Sequence, residues 1–252
     1  MKISIITVCY NSESTIEKTF QSVKNQKYKD IEYIVVDGQS TDGTLSLINK
    51  YSNVISKFVS ESDKGLYDAM NKGAKLAKGR YINFMNAGDC FLENNSLEKA
   101  FAQSPSDAQV IYGDYQVRFT TYKKTILAKP LSEAWTRITI CHQSVIYQTE
   151  LVQEIPYSGK YITSDFEQLY TLFHKKHKFH YLGFPLADYS DDGVSAKAKL
   201  KIARELLEYI PKYDSSFQTI WALRTRYLRV LLVETLRGIL PTIWFEKLEQ
   251  LK

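Results

Sequence analysis

Two acidic side chains come just after apolar stretches in the first ninety residues of the chain. Residues 33–36 are apolar and mostly β-branched, and Asp37 comes next. Residues 81–85 form a similar stretch, which leads into Asn86-Ala87-Gly88-Asp89. Such stretches predict buried parallel strands, and open α/β sheets bind ligands outside the carboxyl ends of their strands. An aspartate at that place can hold a hard divalent cation with phosphate oxygens, although the same tetrapeptide is also typical of a plain turn.

Length and composition indicate a globular protein with a substantial core. The chain has 252 residues, 44% of them hydrophobic, which suits one large domain or one domain with an appendage. Cys9, Cys90 and Cys141 show neither metal-ligand spacing nor a disulfide framework, so a reducing compartment is the simpler expectation. The apolar N-terminal stretch is too short for a signal peptide, and no apolar run reaches the about 18 residues of a membrane span. We therefore expect a cytoplasmic protein.

Strand and helix patterns alternate through the first hundred residues. This alternation predicts an α/β fold with a mostly parallel sheet and right-handed crossovers. Ser14 and Glu17 have the spacing of a capping box for the first helix, and Thr41 or Asp42 is expected to cap the second. Later strands are predicted at 110–115, 116–122, 144–147 and 180–189, and later helices at 165–175, 200–210, 217–240 and 242–251.

Five segments occur in a fixed order along the chain. They are Ser4-Ile5-Ile6-Thr7-Val8-Cys9-Tyr10-Asn11, Val35-Val36-Asp37-Gly38-Gln39-Ser40-Thr41-Asp42-Gly43-Thr44, Asp63-Lys64-Gly65-Leu66-Tyr67-Asp68-Ala69-Met70-Asn71-Lys72-Gly73, Gly79-Arg80-Tyr81 and Asn86-Ala87-Gly88-Asp89. Together they resemble the inverting glycosyltransferases of family 2, which have the GT-A fold, in their bacterial exopolysaccharide, capsule and O-antigen branch. The resemblance implies a GT-A domain at 1–195, with a nucleotide-sugar half at 1–105 and an acceptor half at 106–195. A basic helical tail follows at 196–252.

The resemblance also implies an activity. The expected reaction moves a hexosyl or N-acetylhexosaminyl group, with inversion, from a nucleotide-diphosphate sugar to a saccharide or lipid-linked saccharide. UDP is the expected nucleotide, and a polyprenyl-diphosphate-linked saccharide of surface polysaccharide synthesis is the expected acceptor. The sequence leaves the sugar, the linkage and the acceptor open.

The donor site expected from the resemblance lies in the first ninety residues. Thr7, Tyr10 and Asp37 would lie near the base and ribose, and Asp89 would bind Mn²⁺ or Mg²⁺ bridging the diphosphate. Gly38 and Gly88 depart from the family pattern, because many members carry further carboxylates there. The other expected donor contacts are Asn11, Lys64, Asp68, Asn71, Asn86, Ala87 and Gly88. Of these, Lys64 is equally well explained as a surface charge, and Asp68 and Asn71 share one helix face.

Inversion needs a base on the acceptor side, and Asp165 is the candidate, with Glu167 in reserve. A carboxylate performs this role best when burial moves its pKa toward neutral. The alternative is that Asp165 merely caps a helix. The resemblance also places His142 near the metal and acceptor, as a candidate second metal ligand, with Gln143 beside it. Asp192 belongs either to a lid over the donor or to an exposed acidic turn.

The C-terminal tail holds the whole net charge of +5, because eleven basic and six acidic residues lie from residue 197 onward. Residues 217–240 form a basic amphipathic pattern, and Trp244 and Phe245 follow it. This pattern predicts peripheral contact with the inner face of the cytoplasmic membrane. The alternatives are packing on the domain itself or on a second subunit in a homodimer.

The sequence also bears on three other functions. A non-catalytic nucleotide-sugar binder remains open because of Gly38 and Gly88. Nucleic-acid binding is not expected, since the basic residues are mixed with leucines rather than with polar side chains that read bases. A dinucleotide-binding oxidoreductase is disfavoured, because Cys9-Tyr10-Asn11-Ser12 stands where that fold has a glycine-rich turn.

Overall fold

The computed structural model describes residues 2–119, 121–133, 138–190 and 198–239, with side chains up to residue 236. These residues form one sheet with helices on both faces. The strands are β1 (Ile3–Cys9), β2 (Ile31–Asp37), β3 (Lys57–Ser60), β4 (Tyr81–Phe84), β5 (Cys90–Phe91), β6 (Val110–Arg118), β7 (Lys123–Ile126), β8 (Val145–Gln148) and β9 (Phe179–Ser190). The helices are α1 (Ile16–Lys24), α2 (Thr44–Lys50), α3 (Leu66–Leu76), α4 (Ser96–Gln103), α5 (Thr149–Glu154), α6 (Ser164–His174), α7 (Lys199–Tyr209) and α8 (Phe217–Ile239).

The sheet is parallel in its first half and mixed in its second. Strands β3, β2, β1 and β4 are neighbours in that order and run parallel. Strand β8 is antiparallel to β4 and β6, whereas β9 is parallel to β6 and antiparallel to β5. The predicted α/β architecture with C-terminal helices is confirmed. In the parallel half the register pairs Cys9 with Asp37 and Asp37 with Ser60, so three carboxyl ends meet at one edge.

Successive residues of β1 enter two different cores, which explains its unbroken apolar run. Ile6 packs with Met70 of α3 on one face, and Ile5 packs with Phe20 of α1 on the other. Gly73 lets α3 lie close to the sheet, since a Cβ at this position would come within 2.6 Å of Ile6 Cγ2. The close approach fixes the height of α3 above the strand ends that border the site.

The first two helices do not begin with the predicted caps. Helix α1 follows Thr15, which makes no side-chain cap bond, and Glu17 instead accepts hydrogen bonds from Lys50 and Tyr51. The capping box was wrong because the Glu17 carboxylate has these partners across the helix interface. Helix α2 follows Gly43, and Asp42 Oδ1 accepts the backbone N–H of Thr44.

One long strand replaces the two strands predicted between 110 and 122. Strand β6 is continuous because both of its halves have partners. Its beginning pairs with β8, its end pairs with β7, and β9 runs along the other edge. Long-range pairing of this kind leaves no signal in the local sequence, which explains the error.

The C-terminal helices pack on the domain. Leu206, Tyr209 and Ile210 are fully buried in the core that also contains Phe166 of α6, and Leu223 of α8 joins them. Packing of the tail on the domain itself, one of the alternatives for this segment, is therefore observed for α7 and for one side of α8. Among the helices of the described residues, none has both the length and the apolar composition needed to cross a bilayer. Leu240, Trp244, Phe245 and the helix predicted at 242–251 lie outside the described residues.

A buried carboxylate of α7 supports the segment that leads into α6. Glu205 is only 5% exposed and accepts the backbone N–H groups of Ile162 and Thr163 and the hydroxyl of Thr163. These donors have no strand or helix partner of their own, so Glu205 satisfies groups that would be costly to bury unpaired.

We expect Glu205→Ala to lower the free energy of unfolding by about 1.5–3 kcal/mol, since charged hydrogen bonds to buried donors are lost. Urea denaturation measures this change. Glu208→Ala is the matched control, because Glu208 lies on the same helix but forms an exposed pair with Lys160. Equal effects of the two substitutions would contradict the assigned role of Glu205.

Candidate active site

A tight turn after β4 presents Asp89. The N–H groups of Met85 and Ala87 continue the pairing with β1, and Asp89 N–H then bonds the carbonyl of Asn86. Gly88 adopts φ +98°, a conformation that glycine reaches without strain. Thr19 of α1 fastens the turn, since its hydroxyl lies 2.9 Å from Gly88 N and 2.7 Å from Asp89 O. The segment is thus a turn, as its composition suggested, and that turn fixes a carboxylate.

The carboxylate of Asp89 is partly buried and only partly satisfied. Gln143 Nε2 donates to Oδ2 at 2.8 Å, and no residue in the described ranges hydrogen-bonds Oδ1. Burial raises the pKa of Asp89 to about 6, against the opposing effects of Gln143 and of the nearby charges of Lys18 and Arg118. A hard carboxylate oxygen that has no hydrogen-bond partner among the described residues fits a divalent metal ion.

Asp165 is the second residue of α6, and its carboxylate is well supplied with donors. Oδ2 lies 3.0 Å from His142 Nδ1, while Oδ1 lies 3.0 Å from the Tyr67 hydroxyl and 2.9 Å from Phe166 N. Burial alone would raise the pKa of Asp165, but the bonds from His142, Tyr67 and Phe166 outweigh it and lower the pKa. The expectation of a pKa moved toward neutral was wrong for this reason.

Adjacent residues of one 3₁₀ turn connect the two carboxylates. His142 contacts Asp165, and Gln143 contacts Asp89. The other ring nitrogen of His142, Nε2, lies 2.9 Å from the amide nitrogen of Asn86. Because the amide donates to Nε2, the ring proton is on Nδ1 and is donated to Asp165. Neither ring nitrogen is free for a metal, so the structure does not support His142 as a ligand.

The carboxylate of Asp37 faces inward rather than toward the crevice. It is fully buried and accepts bonds from Ser40 N, Ser40 Oγ and Ser60 Oγ. Its role in the structure is to hold together the loops that follow β2 and β3. The expected direct approach of Asp37 to a base or ribose therefore does not match its position.

Asp63 and Tyr10 lie beside Gly38, the residue that directly follows Asp37. A Cβ on Gly38 would lie 2.5 Å from Asp63 Oδ2 and 3.4 Å from Tyr10 Cδ2. The tyrosine ring is 63% exposed, so it can receive a planar ligand. Gly38 thus leaves room for a carboxylate from another strand end, and sequence reasoning had missed Asp63.

Other predicted donor residues have structural partners. Thr7 is fully buried and bonds Tyr33 and the Met85 carbonyl, which keeps it away from any ligand. Asn71 bonds the backbone of Tyr157, at both N–H and carbonyl. Asn11 has φ +46° and its side chain accepts Thr41 N, which joins the loops after β1 and β2.

The remaining candidates lie around this centre. Asp68 accepts Lys64 N and pairs with Lys72, next to the loop that holds Asp63. Glu167 accepts a hydrogen bond from the Ser158 hydroxyl and not from His142, so its carboxylate does not share the position of Asp165. Asp192 lies outside the described residues.

The sequence assigned no role to two further residues of the site, although Tyr67 belongs to one of the five ordered segments. Arg118 at the end of β6 donates to the Gly88 carbonyl at 3.0 Å and pairs with Asp188 at 2.9 Å. Tyr67 contacts Asp165 from 98 positions away in the sequence. Both contacts depend on the pairing of distant segments, which the local pattern does not encode.

Known proteins resemble this chain in sequence. The model of Glycosyl transferase family 2 matches residues 4–169. A PGL/p-HBAD biosynthesis glycosyltransferase of Mycobacterium tuberculosis is 32% identical over 164 residues, which cover 63% of this chain and 64% of that protein. The Escherichia coli UDP-Glc:alpha-D-GlcNAc-diphosphoundecaprenol beta-1,3-glucosyltransferase WfaP is 33% identical over 118 residues, 46% of each chain. This chain thus spans less than two thirds of the length of these relatives.

Solved structures share the fold. S. aureus TarS 1–349 in complex with UDP-GlcNAc has a TM-score of 0.66 at 20% identity, covering 91% of this chain and 73% of that one. Mannosyltransferase PcManGT from Pyrobaculum calidifontis, in complex with GDP-Man and Mn²⁺, has a TM-score of 0.67 at 15% identity, covering 99% and 79%. These likenesses confirm the GT-A fold that the sequence predicted.

The raised pKa of Asp89 has a consequence for stability. Its pKa is about 6 in the folded protein against 3.8 ordinarily, so the folded state holds the proton more tightly. The ionised carboxylate therefore destabilises the fold above pH 6, and the effect vanishes below pH 4, where both states are protonated.

In EDTA at pH 7.5, we expect Asp89→Asn to raise the free energy of unfolding by about 1–3 kcal/mol, because the buried charge is removed. The gain should disappear near pH 4, as measured by urea denaturation at both pH values. Asp107→Asn is the control, since Asp107 is exposed and paired with Lys178, and it should bring no gain. A stability at pH 7.5 equal to or below that of the wild type would contradict the burial penalty.

Proposed function

Because this chain belongs to glycosyl transferase family 2, we propose that it transfers a sugar from a UDP-sugar to a saccharide hydroxyl with inversion of the anomeric carbon. One observation carries the proposal most directly. The carboxylates of Asp89 and Asp165 are held by adjacent residues, Gln143 and His142, so they border one site. Inverting transfer needs this pair of functions, a charge-stabilising group at the leaving diphosphate and a base at the acceptor.

The metal fits the oxygen chemistry of Asp89. Within the described residues no group of three or more His, Cys, Asp or Glu side chains is arranged so that it could hold a metal ion. Asp89 Oδ1 would therefore hold Mn²⁺ or Mg²⁺ together with the donor's phosphate oxygens and water, a common arrangement for these ions. When bound, the cation would neutralise charge on the leaving diphosphate. Lys18 and Arg118 place further positive charge beside Asp89.

Asp165 is the proposed general base. Its lowered pKa means that it is ionised at neutral pH, and it therefore acts through the orientation of its oxygens rather than through a raised basicity. The acceptor hydroxyl gives its proton to Asp165, and its oxygen forms the bond to the anomeric carbon. The bond from that carbon to the diphosphate breaks on the opposite face, which inverts the configuration.

The donor half is proposed at 1–105 and the acceptor half at 106–195, with the helical tail at 196–252. In the donor half, the exposed Tyr10 ring and Asp63 are the proposed contacts of the nucleoside, and the Asp37 carboxylate fixes the loops around them. The non-catalytic alternative rested on the missing carboxylates at Gly38 and Gly88. Asp63 supplies a carboxylate beside Gly38, which weakens the first of these two grounds.

The acceptor is proposed to be a lipid-linked saccharide of bacterial surface polysaccharide synthesis. The name of the relative WfaP describes transfer from UDP-Glc to a diphosphoundecaprenol-linked sugar. An acceptor of this type resides in a membrane, so the enzyme must work at a membrane surface.

One side of α8 is suited to that surface. Its outward residues combine large apolar and basic side chains, and the helix has a single acidic residue, Glu234. The exposed apolar residues are Phe217, Trp221, Leu228, Leu231, Leu232 and Leu236. Arg224 and Arg229 are exposed among them. Such a face lies well in the interface of an anionic bilayer, and we assign it to peripheral membrane contact rather than to a homodimer.

Two substitutions separate donor binding from chemistry. We expect Asp165→Asn to lower turnover by about 10²- to 10⁴-fold, since the base is lost, while UDP binding with Mn²⁺ stays unchanged. Asp89→Asn should abolish the Mn²⁺-dependent part of UDP binding, because the metal loses its protein ligand. Calorimetry with UDP and Mn²⁺, and UDP release from UDP-glucose and UDP-N-acetylglucosamine, measure these effects.

Glu167→Gln is the control, because Glu167 lies on the same helix and bonds Ser158 instead. Its turnover should be that of the wild type. Wild-type turnover in Asp165→Asn would refute the assigned base, and a complete lack of turnover in the wild-type protein, with UDP binding intact, would favour the non-catalytic binder.

The membrane face predicts binding to vesicles that contain anionic lipid. We expect Trp221→Ser with Leu228→Ser to abolish sedimentation with phosphatidylglycerol vesicles, and Arg224→Ser with Arg229→Ser to weaken it in a salt-dependent manner. Phe58→Ser is the control, since Phe58 is a similarly exposed ring on β3. A dimer in light scattering that the Trp221 and Leu228 substitutions dissociate, without vesicle binding, would contradict the assignment.

A further inference from the structure

Helix α3 contacts the acceptor half of the site through Tyr67. The Tyr67 hydroxyl lies 3.0 Å from Asp165 Oδ1 and 2.6 Å from the Ile162 carbonyl. Its ring packs against Tyr157, with 5.3 Å between the ring centroids. A helix that begins at the strand ends of the donor half therefore contacts the proposed base itself.

A second residue of α3 strengthens this connection. Asn71 lies one helical turn after Tyr67, on the same face. Its side-chain nitrogen donates to the Tyr157 carbonyl, and its side-chain oxygen accepts the backbone N–H of Tyr157. The segment that leads into α6 is thus held by α3 at two points, at Tyr157 and again at Ile162 and Asp165. This clamp accounts for Asn71, whose side chain was expected at the donor sugar.

The two oxygens of Asp165 differ in their remaining capacity. Oδ1 accepts bonds from Tyr67 and Phe166 N, which fill its two lone-pair directions. Among the described residues, Oδ2 accepts only from His142. One lone pair of Oδ2 is therefore open, and Oδ2 is the oxygen that can receive a proton from an acceptor hydroxyl.

We propose that Tyr67 is a positioning residue for the base: it holds Oδ1 and thereby directs the open lone pair of Oδ2 at the acceptor. This inference rests on the proposed function, in which Asp165 takes the acceptor proton. In the step, the acceptor O–H bond breaks and its proton goes to Oδ2. An electron pair of the acceptor oxygen forms the new bond to the anomeric carbon. The bond from that carbon to the diphosphate breaks, and the diphosphate leaves with the electron pair of that bond.

The hydroxyl of Tyr67 is suited to both states of the base. It has one proton and two acceptors within reach. Burial, with the nearby charge of Asp165, raises the pKa of Tyr67, so the phenol stays neutral and keeps its proton. While Asp165 is charged it is the stronger acceptor. Once Oδ2 carries the proton, the Ile162 carbonyl remains as a partner, and the hydroxyl is satisfied before and after transfer.

The test is Tyr67→Phe, which keeps the ring against Tyr157 and removes only the hydroxyl. We expect kcat for UDP release to fall about 10- to 100-fold, the effect of one hydrogen bond to a charged group. The assay uses whichever of UDP-glucose and UDP-N-acetylglucosamine the wild-type protein turns over, with diphosphoundecaprenol-linked N-acetylglucosamine as acceptor. The KM for the donor and the Kd for UDP with Mn²⁺ should not change.

Two further variants exclude a merely structural effect. Tyr161→Phe also removes a tyrosine hydroxyl, from the segment that leads into α6. This hydroxyl donates to Glu208 rather than to Asp165, so kcat should be unchanged. In the Asp165→Asn background, Tyr67→Phe should cause no further loss, because the two residues act as a unit.

The outcomes distinguish this inference from the proposed function. Wild-type kcat in Tyr67→Phe, together with an inactive Asp165→Asn, overturns the positioning role alone. The positioning role is also overturned if Tyr67→Phe lowers kcat by the same factor in the Asp165→Asn background. It is overturned as well if Tyr67→Phe weakens UDP binding as much as it lowers kcat. Wild-type turnover in Asp165→Asn overturns the base assignment itself.

Discussion

Buried carboxylates need partners, and the site is organised by the way in which this chain supplies them. Asp89 and Asp165 belong to distant segments, and each would be costly to leave charged without hydrogen bonds. The adjacent residues His142 and Gln143 bond one carboxylate each. His142 also reaches Asn86 in the turn that presents Asp89. One short 3₁₀ turn therefore fixes both carboxylates in a single geometry.

The two carboxylates have opposite electrostatic environments. Asp89 has one hydrogen bond, and burial raises its pKa to about 6. Asp165 has three donors, which together outweigh the burial and lower its pKa. Unequal satisfaction of two similar groups is a general way to give them different tasks. An under-satisfied oxygen suits a metal ion that would also bind the diphosphate. A charged and well-oriented oxygen suits proton transfer, and the proposed roles follow this division.

The segment that carries Asp165, the proposed base, is supported from both the N-terminal and the C-terminal side of the sequence. On one side, Tyr67 and Asn71 of α3 bind the residues that lead into α6. On the other, Glu205 of α7 accepts the N–H groups of Ile162 and Thr163. Helices α7 and α8 are thus part of the structure that holds the site, and the outer side of α8 is the face proposed for membrane contact. A rigid surrounding of this kind limits the movement of a catalytic group to fractions of an ångström.

The sequence by itself determined the elements and the class of protein. The alternation of strand and helix patterns predicted the α/β fold, and the resemblance of five ordered segments to family 2 predicted the family; the comparisons confirm both. Local patterns suffice here, because strand burial and glycine turns are encoded within a few residues.

Only the tertiary structure decided which polar groups face the crevice. It buried Thr7 and Asp37, brought Asp63 beside Gly38, and joined Tyr67 to Asp165 across 98 positions. It also made β6 one strand and gave Glu17 a partner on another helix in place of a cap. Such contacts depend on which distant segments pair, and the free energy of that pairing is shared among many residues. No local sequence pattern records it.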